Sequence, residues 1–254
     1  MLSLLHWTRP KSERGNAARL LQRGLGHYEK RRFVQAMDAW KQASDLGHAE
    51  AQYRLGLLYA RGEGVLQSLP DAVAWYCRAA EQGHMEAQFQ LGLIYLDGVK
   101  APQGPNSPDN WLRIASHHDE EAARQTLKLL FPNGIALARD IETAMRWLSA
   151  AAGAGKAEAF AVLGDLCRHG RGCAQDYAAA RRNHLIAAER GVAAAQFALG
   201  DIYFQGLGVE ANPELAADWY QKAADGGHVA AIVALGYMHL TGRGKSRWAS
   251  ASHP

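Results

Sequence analysis

The chain is poor in cysteine, in long apolar runs and in motifs that carry chemistry. Cys77, Cys167 and Cys173 form an odd set without zinc-ligand spacing. Such a set favours unpaired thiols in a reducing compartment, so a cytoplasmic location is expected. No stretch approaches the roughly 20 apolar residues of a membrane-spanning helix. The opening MLSLLHW has an apolar core too short for a signal peptide. Neither charge sign dominates, since 28 Lys and Arg against 25 Asp and Glu leave +3. The excess is local: Arg9, Lys11, Arg14, Arg19, Arg23, Lys30, Arg31 and Arg32 face only Glu13 and Glu29. A basic end of this kind can hold an anionic polymer or a membrane surface. No base-reading or stacking motif accompanies it, so nucleic acid is not an expected partner. What is present, 48% hydrophobic and 21% charged residues, is the mix of a soluble folded protein.

A period of 36 residues organises the chain. Leu55-Gly56, Leu91-Gly92, Leu163-Gly164, Leu199-Gly200 and Leu235-Gly236 keep that spacing or twice it, with Leu127-Lys128 at the remaining step. Alanine-rich pairs at 79–80, 115–116, 151–152, 187–188 and 223–224 keep the same step, as do Trp75, Trp111, Trp147 and Trp219. Apolar residues recur at three and four within each half-unit, so each unit is read as two antiparallel helices, A and B. Ser68, Asp140, Asp176 and Asn212 are suited to cap helix B, and Pro213 suits its first turn. Gly47, Gly83, Gly155, Gly191 and Gly227 suit its end. The glycine inside helix A is expected to admit a close neighbour, faced by the alanine pair of helix B, with the tryptophan filling the wider gap.

Residues 55–65, LGLLYARGEGV, carry Gly62 and Gly64 behind Arg61 and raise the question of a phosphate loop. Gln67 stands where a dinucleotide loop needs its third glycine, and the segment follows a helix, not a strand. Equivalent pairs recur at Gly170 and Gly172, Gly206 and Gly208, and Gly242 and Gly244, so a helix end and turn is expected, and no cofactor. His48, His84 and His228 follow the glycine that closes helix B and are read as exposed turn residues. Equivalent positions of neighbouring repeats lie roughly 8–10 Å apart, whereas metal ligands converge to about 2 Å from one ion. Cys167 and Cys173 occupy packing columns, and Cys77 shows no partner base.

The recurring "A…LG..Y..G.GV..D…A..W..KAA..G" resembles the Sel-1-like repeat, a relative of the tetratricopeptide repeat. The resemblance implies an all-α, right-handed α-solenoid of antiparallel helix pairs. Its parts would be a basic, flexible segment at 1–15, a tetratricopeptide-like hairpin at 16–48, and a polar tail at 245–254. Repeats would occupy 49–244, with units near 49–84, 85–120, 121–156, 157–192 and 193–228 and a partial unit at 229–244. Lys128 and Pro132 are expected to open the stack near 119–140, and Ser107 to cap a late helix B.

By resemblance to tetratricopeptide grooves, the concave face would be lined by Tyr53, Leu57, Arg61, Phe89, Leu93, Asp97, Arg168, His169, Phe197, Asp201, Phe204 and Tyr237. These residues would bind another protein or peptide, without catalysis, in a monomeric adaptor or scaffold. Some members of the family have been linked to β-lactam binding or hydrolysis, which makes a hydrolase the alternative. The cysteine pair per repeat that accompanies that activity is missing here.

Overall fold

The computed structural model describes residues 11–97 and 140–242, and among them there are eleven α-helices and no strand. They are α1 (Lys11–Glu29), α2 (Phe33–Asp45), α3 (Ala49–Arg61), α4 (Leu69–Glu81), α5 (Met85–Asp97) and α6 (Ile141–Gly153). After these come α7 (Ala157–His169), α8 (Tyr177–Glu189), α9 (Ala193–Gln205), α10 (Pro213–Asp225) and α11 (Val229–Thr241). The expected all-α fold is observed. The chain divides at Ala150–Ala151 into two compact units. In the first, α1 pairs with α2 and α3 with α4; in the second, α7 pairs with α8 and α9 with α10.

Local chemistry explains the helix ends. Side chains of Ser68, Asp140, Asp176 and Asn212 each accept from the backbone N–H three residues on, satisfying a donor that the first turn leaves open. The backbone N–H groups of the same four residues donate to Tyr59, Tyr95, Cys167 and Tyr203 carbonyls at 2.8–3.0 Å, closing the corner between A and B. Gly62, Gly170, Gly206 and Gly242 end helix A with φ of 64–70°, a left-handed conformation that costs glycine no Cβ clash. The glycine pair of LGLLYARGEGV is therefore this corner, with Gly64 also left-handed at φ 74°.

The close approach between A and B differs from the expectation in one respect. A Cβ on Gly56 would lie 2.5 Å from the Tyr76 ring and 3.2 Å from the Ala72 carbonyl oxygen. Gly200 meets Tyr220, Gly164 meets His184, and Gly24 in the first hairpin meets Trp40. The residue that fills the notch is thus the one after the tryptophan column, about 100° further round helix B. Tyr76, Leu148, His184 and Tyr220 are buried, whereas Trp75, Trp147 and Trp219 are only half-buried. Trp75 packs on the cluster of Trp40, Leu55 and Leu58, and Trp219 on that of Leu199 and Ile202. Arg78 lies over the Trp75 ring at 4.5 Å and Lys222 over Trp219 at 4.0 Å. The tryptophans therefore seal one hairpin against the hairpin before it, and their outer faces take cations.

Helix α5 has an unusual partner. A Cβ on Gly92 would meet the Leu148 side chain at 2.6 Å, and the Asp140 N–H donates to the Tyr95 carbonyl at 3.0 Å. These are the contacts that Gly56 makes with Tyr76 and Tyr59 with Ser68. Helix α6 thus serves as helix B to α5. Seven residues, 62–68, join α3 to α4, but 43 residues, 98–140, join α5 to α6. The excess equals the 36-residue period. The helix B expected after Ser107, the tryptophan at 111 and the opening expected from Lys128 and Pro132 lie outside the described residues.

Candidate functional site

The sequence-predicted residues lie on the A helices, and the structure separates those that pack from those that face solvent. In the first unit the Tyr53 ring stacks on His84 at 4.7 Å and lies 5.7 Å from Tyr76. His84 Nε2 in turn donates to Glu50 Oε2, 2.8 Å away, while its Nδ1 accepts from the Ala87 N–H at 3.3 Å. Arg54 donates to the other Glu50 oxygen at 2.6 Å. The hydrogen bond to His84 and that to Arg54 hold the Glu50 carboxyl below its ordinary pKa. Leu57, Phe89 and Leu93 are half-buried, with Leu57 against the cluster of Ala72 and Tyr76, while Asp97 is exposed. Arg61 is exposed and its Nη1 donates to the Tyr28 hydroxyl at 3.3 Å, which itself donates to Glu63 at 2.7 Å.

The second unit repeats this plan with more charge. Phe197 stacks on His228 at 4.7 Å and lies 5.5 Å from Tyr220, reproducing the triplet of Tyr53, Tyr76 and His84. The reading of His84 and His228 as exposed turn residues is therefore corrected: each is half-buried and caps the ring of the helix A before it. His48 is also half-buried, and desolvation lowers its pKa. Both Arg168 Nη atoms lie 3.4 Å from Asp201 Oδ2, and the Tyr220 hydroxyl donates to Asp201 Oδ1 at 2.8 Å. Burial, then the bond to Asp201, raises the Tyr220 pKa, so it stays a phenol that donates. His169 is exposed, with Nδ1 2.8 Å from the Asp165 carbonyl. Phe204 is half-buried, 6.5 Å from Tyr220, and Tyr237 is exposed.

His184 was not singled out from sequence. It is 1% exposed, and neither ring nitrogen has a hydrogen-bond partner; Nε2 is 3.5 Å from Asp165 Oδ1, an electrostatic contact beyond good hydrogen-bond length. Desolvation lowers its pKa more than Asp165 raises it, so the ring is held neutral. Its signal was the column after tryptophan, where Tyr76 and Tyr220 stand. Two thiols are held away from the nucleophilic thiolate: burial raises Cys77, and burial together with the neighbouring Cys173 raises Cys167. Among the described residues no group of three or more His, Cys, Asp or Glu could hold a metal ion, and no helix is long and apolar enough to cross a membrane.

The family model described as the Sel1 repeat matches residues 49–84, 86–107, 133–156, 157–192, 193–228 and 229–247. This chain belongs to the Sel1 repeat family. The two short matches, 86–107 and 133–156, take in α5 from residue 86 and all of α6, and both run into the segment between them. Among solved structures, a Sel1 repeat protein from Oxalobacter formigenes is similar, at 26% identity and a TM-score of 0.68, with 96% of this chain and 86% of that one covered. An Escherichia coli protective antigen displaying an SLR fold is 28% identical with a TM-score of 0.32, covering 93% of this chain and 60% of that one. A search of curated proteins finds no match.

Proposed function

We propose that this Sel1 repeat protein is a non-catalytic scaffold that holds another protein or peptide against the exposed face of its A helices. Sel1 repeat proteins are commonly protein-interaction scaffolds, and the reading follows that of the family. The observation that carries it is the division of the A helices. Tyr53 and Phe197 are spent on stacking with His84 and His228. In the first unit, half-buried Leu57 and Leu93 on α3 and α5 are accompanied by exposed Arg61 and Asp97, apolar positions edged by charge. Such positions suit a partner that buries aliphatic or aromatic anchors and presents opposite charges at the rim.

Arg61→Glu combined with Asp97→Lys alters only exposed side chains and tests the reading. In pull-downs from the native source, the partner captured by the wild type is expected to be lost in the variant while its circular dichroism is unchanged. An identical set of captured proteins would overturn this face as the binding site. A hydrolase reading gains nothing from Cys77 and Cys167, whose thiol pKa values burial raises.

A further inference from the structure

Helix α11 presents an apolar stripe with no cover among the described residues. Val229, Val233 and Leu240 are 73%, 66% and 90% exposed, Ile232 and Tyr237 are each 54% exposed, and a Cβ on Gly236 would meet nothing within 4 Å. At 100° per residue these six positions fall within an arc of roughly 140°, opposite the buried Ala231 and Met238. In the other hairpins this same face is the one that helix B occupies, with a side chain seated on the glycine. The stripe thus continues an interface that the fold already uses. Isolated exposed apolar residues are ordinary, but a contiguous stripe of this kind marks an interaction surface.

The order of residues along the stripe identifies an occupant. Reversed end to end, it maps onto itself: position 229 exchanges with 240, 232 with 237, and 233 with 236. In an antiparallel pair of α11 helices related by a two-fold axis, Val229 faces Leu240 of the second copy and Ile232 faces its Tyr237. Val233 then enters the notch left by the other Gly236. A large or branched residue therefore always meets a complementary one, which is the self-complementarity that a two-fold interface requires. Helix α11 contains no Asp, Glu, Lys or Arg, so no like charges meet across the axis. Helix α1 and the turn after it offer no alternative seat for this stripe, because Arg19, Arg23, Lys30, Arg31 and Arg32 are exposed there.

We infer that the protein self-associates through α11 as an antiparallel, two-fold dimer, in contrast to the monomer expected from sequence. One helix pair buries less than the about 800 Å² per partner of a standard interface, so the dimer is weak and concentration-dependent. The test is sedimentation or light scattering of the full chain from about 1 µM to about 1 mM, the range in which such small interfaces associate. The mass is expected to rise towards twice that of the monomer. V229K and L240E each place an unpaired charge against an apolar side chain and are expected to remain monomeric. The double variant V229K/L240E is expected to dimerise again, because each Lys then faces a Glu of the other copy. Positions 229 and 240 are about 16 Å apart along one helix, too far to pair within a chain. A wild type that stays monomeric throughout overturns the proposal, as it would if residues 243–254 or a foreign helix were the natural cover. Failure of the double variant to dimerise overturns the antiparallel register. Loss of partner capture in the Arg61 and Asp97 variant leaves this result unaffected, so the two readings fail separately.

Discussion

The α3–α4 and α7–α8 hairpins fill the same columns of the repeat with different chemistry. In α3–α4 the glycine notch receives a phenol ring, Tyr76, and the neighbouring column is Leu57. In α7–α8 the notch receives an imidazole, His184, and the neighbouring column is Asp165. Shape is retained, since a flat ring sits on a bare glycine in both. Polarity is not, because His184 buries two nitrogens without hydrogen-bond partners, a condition that costs about 1–3 kcal/mol per group in typical cases. The repeat therefore specifies volume at this column and leaves charge free to vary. A carboxylate on helix A can stand beside either ring, as Asp165 does for His184 and Asp201 for Tyr220.

The largest expected effect separates the two hairpins directly. Tyr76→Ala should destabilise the protein by about 3–5 kcal/mol, the cost of a large cavity in a packed core. His184→Ala should cost clearly less, because removing the ring also removes unsatisfied nitrogens. Urea unfolding monitored by circular dichroism measures both, and equal losses would break the comparison.

Next in size is a pair of glycine substitutions. Gly56→Ala pushes a methyl group into the Tyr76 ring and should cost about 1–3 kcal/mol. Gly236→Ala meets nothing and should add up to about 1 kcal/mol through helix propensity alone, measured at low protein concentration. Stabilisation at both sites would show that the notch tolerates a side chain.

The smallest effect is a dependence on pH. Folding lowers the pKa of His184 and of His48, in each case chiefly by desolvation. The unfolded chain then binds more protons, so stability is present above the ordinary histidine value of about 6.5 and declines as pH falls below it. His184→Tyr should flatten part of that decline, since the ring would sit as Tyr220 does and its hydroxyl would reach Asp165 as that of Tyr220 reaches Asp201. Melting temperatures of wild type and variant between pH 5 and 8 check it, and parallel curves would remove His184 from the account.

The period, the helix pairs and the caps were legible because each rests on a few adjacent residues with a local job. Asn212 accepts from an N–H three residues away, and Gly62 needs only its own φ. The candidate face was legible only in part. Tyr53 meets His84 across 31 residues, and Phe197 meets His228 across the same separation, so neither stack shows in a helical pattern. The tryptophan column drew attention by its size, while the notch belongs to the next residue round the helix. The pairing of α5 with α6 was hidden because the intervening segment keeps the 36-residue register. Spacing alone cannot distinguish a unit in sequence from the unit that packs.

That long connection has a consequence for how the chain can change length. The faces that meet at Gly92 and Leu148 are the same faces that meet at Gly56 and Tyr76, so the joint recognises surfaces and is indifferent to how much chain runs between them. Growth or loss of one period at this point leaves both neighbours in phase. Helices that meet through such interchangeable faces can be exchanged in whole periods without redesigning any contact.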